Sequence, residues 1–260
     1  MVTTMRSGRN RRQSVVWKAF ALLLAGLAIT AVIFSFEKPR RASPRITVSA
    51  VSSFNSGGLV PGPTVTAPSK SLGAVAANRD IWLAISWKFS GEARMLNAVT
   101  VGGVPARRLV RSNEVPDSAN SEIWMVSAGS GDALENTISV DIAFTFDGGN
   151  PSITTQVYRV IGASEIPAVS AAAGRDFSIS ITIPNKGVAL ISLIAPGTTS
   201  GSLSNVTEDF NALCGKDFLG IHASKNSTFR QSVTARFTGN ATVAFAAVAL
   251  RRANSRLSKS

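Results

Sequence analysis

Residues 136–146 read NTISVDIAFTF, and the alternation in this stretch decides the fold class. Ile138, Val140, Ile142, Phe144 and Phe146 fall on one side of an extended chain, and Ser139, Asp141, Ala143 and Thr145 on the other. Strand side chains point alternately to opposite faces, so this pattern predicts a strand with one buried face; an amphipathic helix would repeat every ~3.6 residues. The same period appears downstream in Phe177, Ile179, Ile181 and Ile183, until Pro184 stops it, and upstream in Ile81, Leu83, Ile85 and Trp87. Val188–Ala195 (VALISLIA) is apolar on both faces and suits a central strand. Val233–Phe237 and Ala241–Leu250 flank the turn Thr238-Gly239-Asn240. Further strands are predicted at 46–54, 98–101, 107–111, 121–127, 153–161 and 217–223, whereas 55–75, rich in Gly, Pro and Ser, predicts irregular structure with at most one short strand. The sequence shows no internal repeat and no amphipathic helix to serve as a crossover. Short strands with frequent turns and no crossover helices predict an all-β, antiparallel β-sandwich, jelly-roll-like, over residues 46–250.

The stretch 99–110, VTVGGVPARRLV, tests whether glycines here mark a phosphate cradle. A cradle needs a following helix N-terminus. Val104-Pro105 starts no helix, and Gly102-Gly103 between apolar runs suits a two-residue hairpin loop. Arg107 and Arg108 are predicted on opposite faces, near a sheet edge that they protect from edge-to-edge pairing.

Charge divides the chain. Residues 1–45 hold nine Lys/Arg and one Glu, and residues 251–260 hold four Lys/Arg, while 46–250 holds fourteen basic and fourteen acidic residues. The net charge of +12 therefore belongs to the ends, and nucleic acid is not an expected partner of the sandwich. Residues 19–36, AFALLLAGLAITAVIFSF, carry no charge and as a helix would span about 27 Å. Basic residues flank the run, and no small-residue cleavage site closes it at Phe34-Ser35-Phe36. The expected layout is a basic tail (1–14), an uncleaved single-pass transmembrane signal anchor (15–36), a basic linker (37–45), the sandwich (46–250) and a basic tail (251–260). The N-terminus is expected in the cytoplasm and the sandwich in the periplasm or outside the cell.

Residues with catalytic potential are few. His222 is the single histidine and Cys214 the single cysteine, so a zinc site or a disulfide lacks ligands. No nucleophile elbow occurs, and no carboxylate pair stands out. Asp147-Gly148 is first a turn and only second a calcium ligand. No catalytic residue, metal or cofactor is expected. The candidate ligand-binding residues are Trp82, Trp124 and Tyr158, as a stacking platform for sugars. Trp82 is out of phase with Ile81, Leu83 and Ile85, and Trp124 with Ile123 and Met125, so both are expected on an outward face.

One ordered set of motifs goes further. Asn78-Arg79 leads through a strand to Ser86-Trp87, then to Val99-Thr100-Val101-Gly102-Gly103. Ile123-Trp124 follows, then the long alternating strand ending in Phe146 and a final VAFAAVALRR at 243–252. In this order the motifs resemble a β-sandwich module of uncharacterised secreted, surface and phage-associated bacterial proteins, over about 75–252. The resemblance implies a jelly-roll-like fold and carries no activity or binding residues. The expected function is a membrane-anchored, non-catalytic module that binds a glycan, an envelope component or a protein. A phage or virion structural protein, such as a capsid, spike or tail component, is the alternative, and a hydrolase with a lectin-like fold a further one.

Overall fold

The computed structural model describes residues 45–89, 94–112, 119–163, 168–174, 177–239 and 241–252, with only the backbone of 170–174. The expected anchor at 15–36 and, apart from Arg45, Arg251 and Arg252, the tails and linker lie outside these residues. The described residues form strands and turns without a helix.

Seventeen strands follow one another along the chain. The first nine are β1 (Thr47–Asn55), β2 (Thr64–Ser71), β3 (Arg79–Phe89), β4 (Leu96–Val101), β5 (Val104–Pro105), β6 (Arg107–Arg111), β7 (Asn120–Ser127), β8 (Ser139–Phe146) and β9 (Pro151–Ile161). They make a large sheet, β1-β9-β3-β7-β6, and a small one, β2-β8-β4-β5. The remaining eight are β10 (Ala168–Gly174), β11 (Ser178–Ile183), β12 (Val188–Pro196), β13 (Ser202–Ser204), β14 (Thr207–Cys214), β15 (Phe218–Asn226), β16 (Gln231–Thr238) and β17 (Val243–Leu250). These again make a large sheet, β10-β17-β12-β15-β14, and a small one, β11-β16-β13.

All pairings are antiparallel and they nest. In the first half β1 pairs with β9, β2 with β8, β3 with β7 and β4 with β5. In the second, β10 pairs with β17, β11 with β16 and β12 with β15. The strands thus fall into two halves of matching order, each with a large and a small sheet, and only β5 lacks a counterpart. This repeat is invisible in the sequence, because strand order depends on pairing partners and not on residue identity.

Three large apolar clusters hold the layers together. Between the sheets of the first half lie Ile81, Leu83, Ile85, Trp87 and Phe89 of β3 against Val99, Val101, Ile142, Phe144 and Phe146 of the small sheet. Between those of the second lie Ile191, Leu193, Ile221 and Phe245 against Ile179, Ile181, Ile183, Val233 and Phe237. The third interior lies between the two large sheets and joins the halves. It contains Ile46, Trp82, Ile123, Met125, Tyr158 and Val160 from one side and Val188, Leu190, Ala246, Val248 and Leu250 from the other. Both large sheets are therefore buried on both faces, which explains the unbroken apolar run of β12.

The long alternating strand starts at Ser139, one residue later than its pattern suggests; Ile138 precedes it and is 63 % exposed. The hairpin at Gly102-Gly103 forms as expected, with φ of 56° and 82° and Val101 opposite Val104. The chain then crosses from the small to the large sheet at Ala106, just after Pro105, which has no N–H for a ladder. The region 55–75 contains a full strand, β2, and the Ala-rich β10 and polar β14 are strands that no clear alternation announced.

Candidate functional site

The proposed stacking platform is not on the surface. Trp82 and Tyr158 are neighbours across β3 and β9, fully buried in the interior between the halves. Trp124 is opposite Leu83 in the β3–β7 register, so its indole lies on the other face of the sheet, in the first-half core, 4 % exposed. The phase difference read from the sequence is real, but both faces of this sheet are covered. The expectation of an outward aromatic surface is corrected on that ground. The Tyr158 hydroxyl donates to Asp209 Oδ2 at 2.9 Å, and burial pushes both pKa values up.

His222 is also internal. It sits on β15 opposite Ser192 and faces the first half. Ser192 Oγ lies 3.1 Å from His222 Nδ1, and Thr154 Oγ1 lies 3.3 Å from Nε2. Ser192 accepts from Ser121 at 2.6 Å and donates to the Ile85 carbonyl at 3.0 Å, while Ser86 Oγ donates to the Leu193 carbonyl at 2.8 Å. The β3 and β12 serines thus cross-link the halves almost reciprocally. Phe210 stacks on the imidazole at 5.3 Å, and burial lowers the His222 pKa to about 3. A serine beside a histidine suggests nucleophile activation. Here every hydrogen-bonded member of the network is buried, and the bonds join the sheets of the two halves. Gly220 makes the close approach possible: a Cβ there would lie 2.2 Å from Thr154 Oγ1.

A third ionisable cluster sits beside the edge strand β6, and no sequence motif announced it. The Glu122 carboxylate is fully buried. It accepts from Trp124 Nε1 at 2.6 Å and faces Arg108 at 3.7 Å and Arg111 at 3.5 Å. The guanidinium of Arg108 lies 5.5 Å from the Trp124 ring and that of Arg111 5.6 Å from the Trp87 ring. Burial raises the Glu122 pKa to about 7, against the opposing pull of the Trp124 hydrogen bond and the two arginines. Arg107 reaches Met125 Sδ on the opposite face from Arg108, as the alternation required. The cluster pins β6 with arginines stacked on indoles. Its carboxylate lacks the solvent access that general acid–base work on a substrate requires.

Cys214 is buried, 3.3 Å from Ser56 Oγ, and burial raises its pKa. Asp147 acts in its turn, accepting from the Met95 N–H at 2.9 Å. Among the described residues no three His, Cys, Asp or Glu side chains come together as metal ligands.

The outer face of the small second sheet is different in kind. Ser180 and Thr234 hydroxyls meet at 2.7 Å, Thr182 and Ser232 at 3.1 Å, and Ser202 and Thr238 at 3.0 Å. All are exposed cross-strand rungs on β11, β16 and β13. They line an outer face of hydroxyl donors and acceptors, with exposed Arg236 on the same face between Thr234 and Thr238. The alternation of β11 and β16 was read from the sequence for its apolar side; the rungs on the other side appear only once register pairs them.

No protein-family model, curated protein or solved structure matches the chain.

Proposed function

We propose that this chain is a membrane-anchored, non-catalytic β-sandwich protein, displayed outside the cytoplasm, which binds a glycan, an envelope component or a protein through its outer face. The observation that carries this reading is the exposed hydroxyl surface of β11, β16 and β13, set against ionisable clusters that are built into the interior. The nested pairing of β1 to β9, and again of β10 to β17, is that of a long hairpin wound into two facing sheets. It supports a jelly-roll assignment to each half and the resemblance to surface and secreted modules. The uncharged run at 19–36 supports the anchor.

The anchor is tested by carbonate extraction of membranes, which should leave the chain in the pellet. Protease added to spheroplasts should degrade the sandwich; full protection would reverse the orientation. Detergent-solubilised full-length protein on a glycan array, with and without Ser180→Ala and Thr234→Ala, tests the hydroxyl face. Binding unaffected by both substitutions would remove that face from the proposal.

A further inference from the structure

The average neutrality of the sandwich conceals an uneven distribution of charge. At one end of the second half, the β11–β12 turn and the β15–β16 turn lie side by side, joined by a hydrogen bond from Ser227 N to the Gly187 carbonyl. Val188 is opposite both Asn226 and Leu250, so the end of β17 and Arg251 fall at the same level. Lys186, Arg230 and Arg251 are exposed there, with Lys225 half-buried beside them. Among the described residues none of these four pairs with a carboxylate. Arg230 and Arg251 flank an open groove of about 520 Å³, lined between them by Ala168, Pro184 and Ala249 together with Thr182 and Asn185. At the tip of the β15–β16 turn Phe229 is 76 % exposed, and Val169 nearby is 53 % exposed.

Of the described carboxylates of the second half, Asp217 lies in the β14–β15 turn at the other end, Asp209 accepts from Tyr158, and Glu208, opposite Ala223 and two residues along β15 from Lys225, accepts from Leu203 N and Asn211 Nδ2. The first half brings Asp80 of β3 to this end, opposite Val160 and Ser127, and Asp132 and Glu135 lie in its β7–β8 loop, where they accept from Ser127, Gly129 and Gly131. The chain also enters the sandwich at this end. Thr47 faces Ile161, and two residues further Ala163 bridges to Arg252. The nine residues 37–45 that precede the first strand reach at most about 30 Å.

We infer that this basic, phenylalanine-tipped end docks on the anionic surface of the bilayer that holds the N-terminal run. The inference rests on the anchor reading for its geometry, because a short tether at this end keeps it close to the membrane. The chemistry is its own: four cations meet anionic lipid headgroups, and one aromatic side chain enters the interface. The groove between Arg230 and Arg251 mixes apolar Ala168, Pro184 and Ala249 with polar Thr182 and Asn185, the combination that a headgroup–acyl boundary meets.

The test uses the full-length chain reconstituted in phosphatidylcholine vesicles with or without phosphatidylglycerol. A fluorophore is placed on Thr228→Cys, which keeps Phe229, Cys214 being buried, and bromine-labelled lipids serve as quenchers. Docking predicts quenching in the anionic vesicles only, and Lys186→Glu/Arg230→Glu/Arg251→Glu should shift the docked fraction at least about 100-fold. An unchanged melting temperature of that exposed triple variant shows that the fold is intact. Phe229→Asp alone, measured with a label on a neighbouring turn residue, should weaken docking in the same direction. A label that stays water-exposed in anionic vesicles, or quenching that the triple variant does not alter, overturns the inference while carbonate resistance leaves the anchor standing. If carbonate releases the chain, the anchor reading fails and docking is read by flotation of the released full chain. Flotation with anionic vesicles that the triple variant abolishes supports docking, and flotation absent or unaltered by it overturns docking.

Discussion

The two halves of the sandwich share one strand order and fill it with different chemistry. The first is packed with aromatics: Trp87, Phe89 and Phe146 meet edge to face at centroid distances of 5.1 to 5.7 Å. The second is packed with Ala, Ile, Val and Leu around Phe237 and Phe245. The first half also encloses charge. Arg79 is fully buried and donates to the carbonyls of Gly73, Leu134 and Thr137, and Glu122 is held under β6. At the position of Ser121, next to Glu122, the second half has His222, each opposite the serine of its central strand. The comparison teaches that nested pairing needs strands of the right period and total volume, not a particular set of side chains. It also shows where identity does matter, at the seam, where the serines of both halves must meet.

The largest expected effect breaks the aromatic half. Trp87→Ala should cost about 3–5 kcal/mol in urea unfolding, while Ile191→Val in the second half should cost about 1 kcal/mol. Because the seam joins the halves, both variants should still unfold in one transition; two separated transitions for Trp87→Ala would show that the halves are independent.

The two buried ionisable groups give opposite pH dependences. Glu122 has a folded pKa raised to about 7 from an ordinary 4.5, so the folded state holds more protons and stability falls as pH rises through that window. His222 has a folded pKa lowered to about 3 from 6.5, so its neutral form stabilises the fold above that window, and stability is lost as pH falls from 6.5 towards 3. Between pH 4.5 and 6.5 these two contributions oppose each other in the native protein. Glu122→Gln should unmask a rise of about 1.4 kcal/mol per pH unit in this range, and His222→Gln a fall of similar size. Chemical denaturation at several pH values reads the slopes, and equal slopes in both variants would contradict this assignment.

Gly220→Ala sharpens the role of the seam. The added methyl meets Thr154, and a loss of about 1–3 kcal/mol is expected. Combining it with Thr154→Ala should recover part of the loss, whereas Thr154→Ala combined with a core change such as Ile191→Val should simply add. The smallest effect belongs to the hydroxyl face, where Ser180→Ala and Thr234→Ala should change stability by less than about 0.5 kcal/mol. A thermal melt beside the glycan-array measurement separates a binding role from a folding one.

Much of this was legible from residue order. The alternation of 136–146 and 177–183 emerges over 139–146 and 178–183, and the glycine hairpin at 102–103 and the opposite facing of Arg107 and Arg108 emerge in full, because each depends only on neighbours along the chain. Strands with weak alternation were missed. β10 reads AVSAAAG and β14 TEDFNALC, and partners rather than propensity make them strands. The candidate site failed for a related reason. The phase of Trp82 was visible, but what covered its face was not, since the cover comes from β12 and β17 more than a hundred residues away. Glu122 looked like one carboxylate among many until register set it beside Trp124 and the arginines of β6.

The sequence by itself determined the all-β class, the positions of most strands and the confinement of net charge to the ends, because period, turn residues and charge are properties of a linear string. Only the tertiary structure decided that there are two halves of one strand order, that the aromatic candidates are interior, and that four cations gather at one end. Those facts depend on which segments pair across long loops, and pairing is chosen by the packing of whole faces rather than by any one stretch.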